Sequence, residues 1–142
     1  MKLKSNKPIL LIEDNPMDVD LTIRAFKKRN VTNPIQIARN GEEAISWVDK
    51  WDNGNETPVV ILLDLKLPRI DGLDVLKIIK THSKYRTLPI VVLTTSNEDK
   101  DIKNAYEFGA NSFIVKPVNF EKFIEVAAHI ELYWNVLNEP PV

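Results

Sequence analysis

Apolar residues fall along this chain in two alternating patterns. Ile9-Leu10-Leu11-Ile12, Val59-Val60-Ile61-Leu62-Leu63, Ile90-Val91-Val92-Leu93 and Phe113-Ile114-Val115 are short continuous runs. They read as strands buried on both faces. Ile35-Gln36-Ile37-Ala38-Arg39 alternates instead, which places a strand at a sheet edge. Helical spacing fills the intervals. Asn15 followed by Pro16 is an N-cap with a first-turn proline and opens a helix to about Arg29. Asn40-Gly41 precedes a second helix carrying Ala44, Ile45, Val48 and Trp51, which the Asp52-Asn53-Gly54-Asn55 cluster stops. Gly72 starts a third, to about Thr81. A fourth runs from about Glu98 to Phe108, with Gly109 placed for a left-handed cap. The last spans Asn119 to about Leu137, before Pro140-Pro141. Strict alternation of strand and helix predicts an α/β fold, a doubly wound five-stranded parallel sheet flanked by five helices. The chain reads as a single domain over 1–142 with its core at about 8–137, without an internal repeat or linker.

Composition narrows the function classes. At 142 residues the chain is long enough to bury a full core. Nineteen basic against 20 acidic residues, a net charge of −1, leave no electrostatic footprint for nucleic acid. The absence of cysteine excludes disulfides and thiolate chemistry. The apolar stretch after Pro8 is too short for a signal peptide, and no run is long enough to cross a bilayer. A cytoplasmic location is expected.

Polar residues follow each continuous run directly: Glu13-Asp14, Asp64, Thr94 and Lys116. In a parallel sheet they emerge at one edge, where open α/β folds bind ligands. Each has a bland reading. Asp64, and Thr94 with Thr95 and Ser96, are ordinary turn residues; Asp14 suits a helix N-terminus by charge alone; Glu13 is either a solvated loop carboxylate or a metal contact; Lys116 is a surface lysine. Together they read differently. Carboxylates held close repel, and one is driven to a raised pKa unless a cation neutralises them. Mg²⁺ suits such a site, because it takes a few carboxylates, keeps several waters and engages a phosphate oxygen. The set reads as a metal-assisted phosphoryl-acceptor site.

Ile12-Glu13-Asp14, Leu63-Asp64-Leu65-Lys66-Leu67-Pro68-Arg69-Ile70-Asp71-Gly72, Leu93-Thr94-Thr95 and Val115-Lys116-Pro117 occur in this order, each at a strand end. In this the chain resembles the receiver domains of two-component response regulators, including the chemotaxis regulator, from Pro8 to about Val136. The resemblance implies the flavodoxin-like strand order 2-1-3-4-5. It implies that Asp64 accepts a phosphoryl group from a phosphohistidine on a sensor histidine kinase. Asp14, Asp64 and the backbone carbonyl of Lys66 would hold Mg²⁺, with Glu13 acting through bound water. Lys116 and Thr94 would contact phosphoryl oxygens, and Phe113 would turn with Thr94 as the domain switches. Lys66 and Ser96 occupy the positions that flank the acyl phosphate and tend to set its lifetime. Such a protein is not an enzyme beyond its own phosphorylation and slow autodephosphorylation. Within the family, the single-domain build, the long last helix and Tyr133-Trp134 resemble the regulators partnered with bacterial phytochromes.

Surfaces for partners are expected on two helices. The last helix carries more apolar residues than one buried face needs, Val126, Tyr133, Val136 and Leu137 among them. That predicts a homodimer through the fourth and fifth helices. On the first helix, Val19 and Ile23 lie offset from the expected core positions Leu21, Ala25 and Phe26, either as a strip suited to docking a kinase helix or as residues that are simply partly buried. Trp47 and Trp51 read as packing residues, and His82 and His129 carry no assigned chemistry. Output would pass through a downstream protein target, with no direct contact to nucleic acid or membrane.

Other classes fit less well. An aspartate-nucleophile phosphatase of the haloacid dehalogenase type carries a second aspartate two positions after the first, where this chain has Lys66. A flavodoxin needs a hydroxyl- and glycine-rich loop after the first strand, where Glu13-Asp14 would repel the FMN phosphate. A receiver-shaped scaffold that never takes a phosphoryl group has no use for the complete set of residues.

Overall fold

The structure, a computed structural model, describes residues 7–28, 30–95 and 98–116. Five strands, β1 (Ile9–Ile12), β2 (Ile35–Ala38), β3 (Val60–Leu63), β4 (Ile90–Thr94) and β5 (Ser112–Val115), alternate with four helices. These are α1 (Pro16–Lys28), α2 (Gly41–Asp52), α3 (Gly72–Thr81) and α4 (Asp99–Glu107). All strand pairs are parallel, in the order β2-β1-β3-β4-β5. The sheet order and the alternation agree with the expectation from sequence. The predicted fifth helix, with Tyr133, Trp134 and the other apolar residues of its second face, lies outside the described residues, as does His129.

The period-two geometry of strands sends neighbouring side chains to opposite faces, and this chain builds two cores from that. Leu10, Ile12, Ile61, Leu63, Ile90 and Val92 point to the side where Ala44, Val48 and Trp51 of α2 and Val75, Leu76 and Ile79 of α3 close over them. Ile9, Leu11, Val60, Leu62, Val91 and Leu93 point to the other, against Val19 and Phe26 of α1. Fully burying one such side chain contributes about 1.5–3 kcal/mol. Trp51 is buried and Trp47 packs on the first core, as packing residues.

The face that α1 buries differs from the one read in the sequence. Val19, Thr22, Ala25 and Phe26 are buried, and Ile23 packs against the same core, so Val19 and Ile23 do not form a separate docking strip. Thr22 occupies a core position because its hydroxyl donates to the Asp18 carbonyl at 2.7 Å, which removes the cost of burying it.

Caps and close approaches fix where the helices begin. Asn15 Oδ1 accepts from Met17 N at 2.9 Å, Asn40 Oδ1 from Glu43 N at 2.8 Å, and Asp71 caps α3 through Leu73 N. At Gly72 a Cβ would meet the Asp64 carbonyl oxygen and Leu65 Cα, each at 2.5 Å. Only glycine lets α3 start this close behind the end of β3.

Candidate phosphoryl-acceptor site

Sheet register brings the polar strand ends together. Ile12 pairs with Leu63, so the residues that follow, Glu13 and Asp64, emerge side by side; the amides of Glu13 and Asp64 donate to the carbonyls of Ala38 and Ile12. Thr94 ends β4 fully buried and pairs with Val115. The next residue, Lys116, donates its amide to the Thr94 carbonyl at 2.6 Å.

Lys116 is the hub. Its Nζ lies 2.6 Å from Glu13 Oε1, 2.8 Å from Asp18 Oδ2 and 3.2 Å from Asp64 Oδ2, with only 4% of the residue exposed. Burial works against its charge. The hydrogen bonds to Asp18 and Glu13 and the charges of Asp64 and Glu13 outweigh burial and hold the ammonium above the ordinary lysine value. For Glu13 the balance goes the other way. Burial is the largest effect and, with the charge of Asp64 and despite the bond from Lys116, raises its carboxyl to about 7. Glu13 is 4% exposed, which overturns the reading of it as a solvated loop carboxylate.

A second grouping overlaps the first. One carboxylate oxygen from each of Glu13, Asp14 and Asp64 falls within 4.8 Å of the others. All three donors are hard oxygens, Asp14 is exposed and leaves an open approach, and Glu13 is driven toward protonation. This is the donor chemistry of a divalent oxygen-preferring cation rather than of a thiolate- or imidazole-selected one.

Around this centre the flanking residues divide. Asp64 Oδ1 accepts from the Lys66 amide at 3.0 Å, while the Lys66 ammonium turns away to Asp101 of α4 at 3.7 Å. Phe113 is half-buried and packs on the first core. Thr95 is exposed, and Ser96 lies outside the described residues. His82 accepts from the Lys84 amide at 3.1 Å and lies against Tyr85, away from the site.

Sequence reading did not single out Asp18. The signal was present: Asn15-Pro16 fixes the helix start, which makes Asp18 the third helical residue. In a capping box an acidic side chain there turns back to the N-cap amide. Here Glu13 Oε2 accepts from the Asn15 amide at 3.3 Å, and Asp18 is left to reach Lys116.

Residues 9–128 match the response regulator receiver domain family, and the chain belongs to that family. It is the receiver domain of a two-component response regulator, a class of signalling proteins that is in general not enzymatic. Over 94% of its length the chain is 39% identical to a probable methanogenesis regulatory protein, FilR2, of Methanothrix harundinacea, covering 86% of that protein. It is 34% identical to response regulator Rcp1 of Synechocystis, each covered to 94%. The phosphorylated cyanobacterial phytochrome response regulator RcpA has a structure that superposes with a TM-score of 0.82 at 34% identity, covering 92% of this chain and 94% of that one. The resemblance to phytochrome response regulators thus extends from motifs to the whole fold.

Proposed function

We propose that Asp64 is the phosphoryl acceptor of a single receiver domain spanning the chain, acting in the cytoplasm downstream of a sensor histidine kinase. The observation that carries this is the position of the Asp64 carboxylate, 3.2 Å from a buried ammonium and convergent with Glu13 and Asp14. An oxygen of Asp64 attacks phosphorus, the P–N bond to the donor histidine breaks with its electron pair going to the imidazole, and an acyl phosphate forms. Phosphoryl transfer asks for positioning and charge neutralisation more than for covalent help. Asp14, Asp64 and the Lys66 carbonyl, with Glu13 through water, would hold Mg²⁺, which would supply charge neutralisation at this site. Lys116 adds its own positive charge, 3.2 Å from Asp64 Oδ2. Thr94 takes a phosphoryl oxygen through its hydroxyl, and Phe113 turns into the space Thr94 leaves, a packing change that alters the surface.

Metal choice is supported by donor type, and one relative, Rcp1, has a structure in its Mn²⁺-bound form. A phytochrome-type kinase is the favoured donor, and a downstream protein the favoured receiver of the signal. A second copy meeting through α4 and the last helix is the oligomer this reading expects, and Tyr106 stands exposed on α4.

Intact mass after incubation with Mg²⁺ and acetyl phosphate tests the core of the proposal. Wild type gains one phosphoryl group only with Mg²⁺, and Asp64→Asn gains none. No gain under conditions that label a control receiver would leave a phosphorylation-independent scaffold.

A further inference from the structure

The cation donors and the partners of Lys116 are partly the same residues. Glu13 and Asp64 belong to both sets. A divalent cation seated among Glu13, Asp14 and Asp64 therefore draws on two of the three carboxylates that hold the ammonium. The third is Asp18, and it stands outside the converging trio. Its backbone is fixed independently of the site: the carbonyl accepts from Thr22 Oγ1 at 2.7 Å, and the amide faces Asn15 Oδ1 at 3.4 Å. The carboxylate makes its bond to Lys116 from the capped first turn of α1.

We propose that Asp18 is the positioning residue for Lys116, a tether that keeps the ammonium at Asp64 when a cation draws on Asp64 directly and on Glu13 through water. The inference rests on the reading of Asp64 as acceptor and of the trio as a cation site. Charge logic favours it. An ammonium with no fixed anion beside a newly bound divalent cation is repelled by it and drawn to water. With Asp18 in place, one charge-assisted hydrogen bond of 2.8 Å survives the exchange, and Lys116 stays where a phosphoryl oxygen arrives. A carboxylate at the third position of a helix can also serve only the helix dipole. That role predicts an effect of Asp18 that does not pass through Lys116, which separates the two.

The test uses the full chain and begins with a readout that needs no phosphoryl transfer. In ¹⁵N-lysine-labelled protein a buried, hydrogen-bonded ammonium exchanges slowly enough with water to give its own ¹H–¹⁵N signal, and Lys116→Met assigns it. Wild type keeps the Lys116 signal with and without saturating Mg²⁺. Asp18→Asn keeps it without Mg²⁺, held by Glu13 and Asp64, and loses it when Mg²⁺ is added; Asp18→Glu restores it. Persistence of the signal in Asp18→Asn with Mg²⁺ overturns the tether. Absence of any Mg²⁺-induced shift at Glu13, Asp14 and Asp64 in wild type overturns the cation reading, and the tether with it.

Phosphorylation by acetyl phosphate at saturating Mg²⁺ gives the second arm. Asp18→Asn slows it about tenfold, the size of one lost charge-assisted hydrogen bond. In a Lys116→Met background Asp18→Asn adds nothing, because the residue it acts through is gone. An equal slowing in both backgrounds assigns Asp18 to the helix alone and overturns the proposal. A wild type that binds Mg²⁺ but takes no phosphoryl group overturns the acceptor reading while leaving the ammonium signal to decide the tether.

Discussion

Lys116 and Lys80 each commit all three ammonium donors to the protein, one beyond the carboxyl ends of the strands and the other before their amino ends. Lys116 meets Glu13, Asp18 and Asp64 beyond the carboxyl ends of β1 and β3. Lys80, in the last turn of α3, meets the carbonyls of Arg86 at 3.3 Å and Leu88 at 2.7 Å and Asn111 Oδ1 at 3.0 Å, just before β4 and β5 begin. Burial lowers the pKa of Lys80, with no carboxylate among the described residues to oppose it, whereas carboxylates raise that of Lys116 against the effect of burial. Neutral oxygens can solvate an ammonium, but they offer little to a competing cation. Carboxylates hold it more tightly and will also trade it. Lys80 is fixed by partners that a cation would not claim, whereas on the proposed function two of the partners of Lys116 would be open to exchange, and the difference lies in the partners, not in the lysines.

The largest test of that contrast is Lys116→Met. Removing the ammonium strands buried carboxylates, so without cation at pH 8 the protein should lose about 3–5 kcal/mol, the cost of breaking one side of a buried ion pair. Mg²⁺ should restore a large part of the loss, since it neutralises the same groups. Urea denaturation with and without Mg²⁺ measures both, and a loss that Mg²⁺ leaves untouched would break the contrast. Lys80→Met comes next, at about 1–3 kcal/mol for a charged donor taken from partly buried acceptors. Here Mg²⁺ should add no more stability than it adds to wild type, and the phosphoryl mass gain should persist.

A smaller effect sits in the pH profile. Burial raises Glu13 from 4.5 to about 7 in the folded, cation-free protein, so the fold holds that proton more tightly than the unfolded chain does. The stabilisation is complete below the unfolded value and fades as pH rises through the folded one. Between pH 5 and 7.5 wild type should therefore lose stability relative to Glu13→Gln, measured as the difference of their thermal midpoints. Mg²⁺ competes with the same proton, so its affinity should climb across this window. A difference that stays flat would show that the Glu13 carboxyl does not titrate in this window.

Legibility in the sequence followed distance along the chain. Strands were readable because continuous Ile, Val and Leu runs admit little else at that length, and their order followed from the matching motifs. Helix starts were readable at Asn15-Pro16 and Asn40-Gly41 because capping is local chemistry, and at Gly72, whose cap Asp71 only the structure shows. The buried face of α1 was not, since Thr22 hides a core position behind a polar name that its bond to Asp18 makes harmless. Glu13 was ambiguous for a different reason. Its partner Lys116 lies 103 residues away, and only the sheet order decides that the two meet. Asp18 fell in the same gap, 98 residues from the lysine it holds.

The bond from the Lys116 amide to the Thr94 carbonyl joins the ends of β4 and β5 at 2.6 Å. The hydroxyl and the ammonium that would grip a phosphoryl group are thus carried on one yoke. On the proposed function, a pull on either would pass to the other through this bond. On that reading such a joint would favour a step over a ramp, so that the chain would report whether Asp64 is occupied and not by how much.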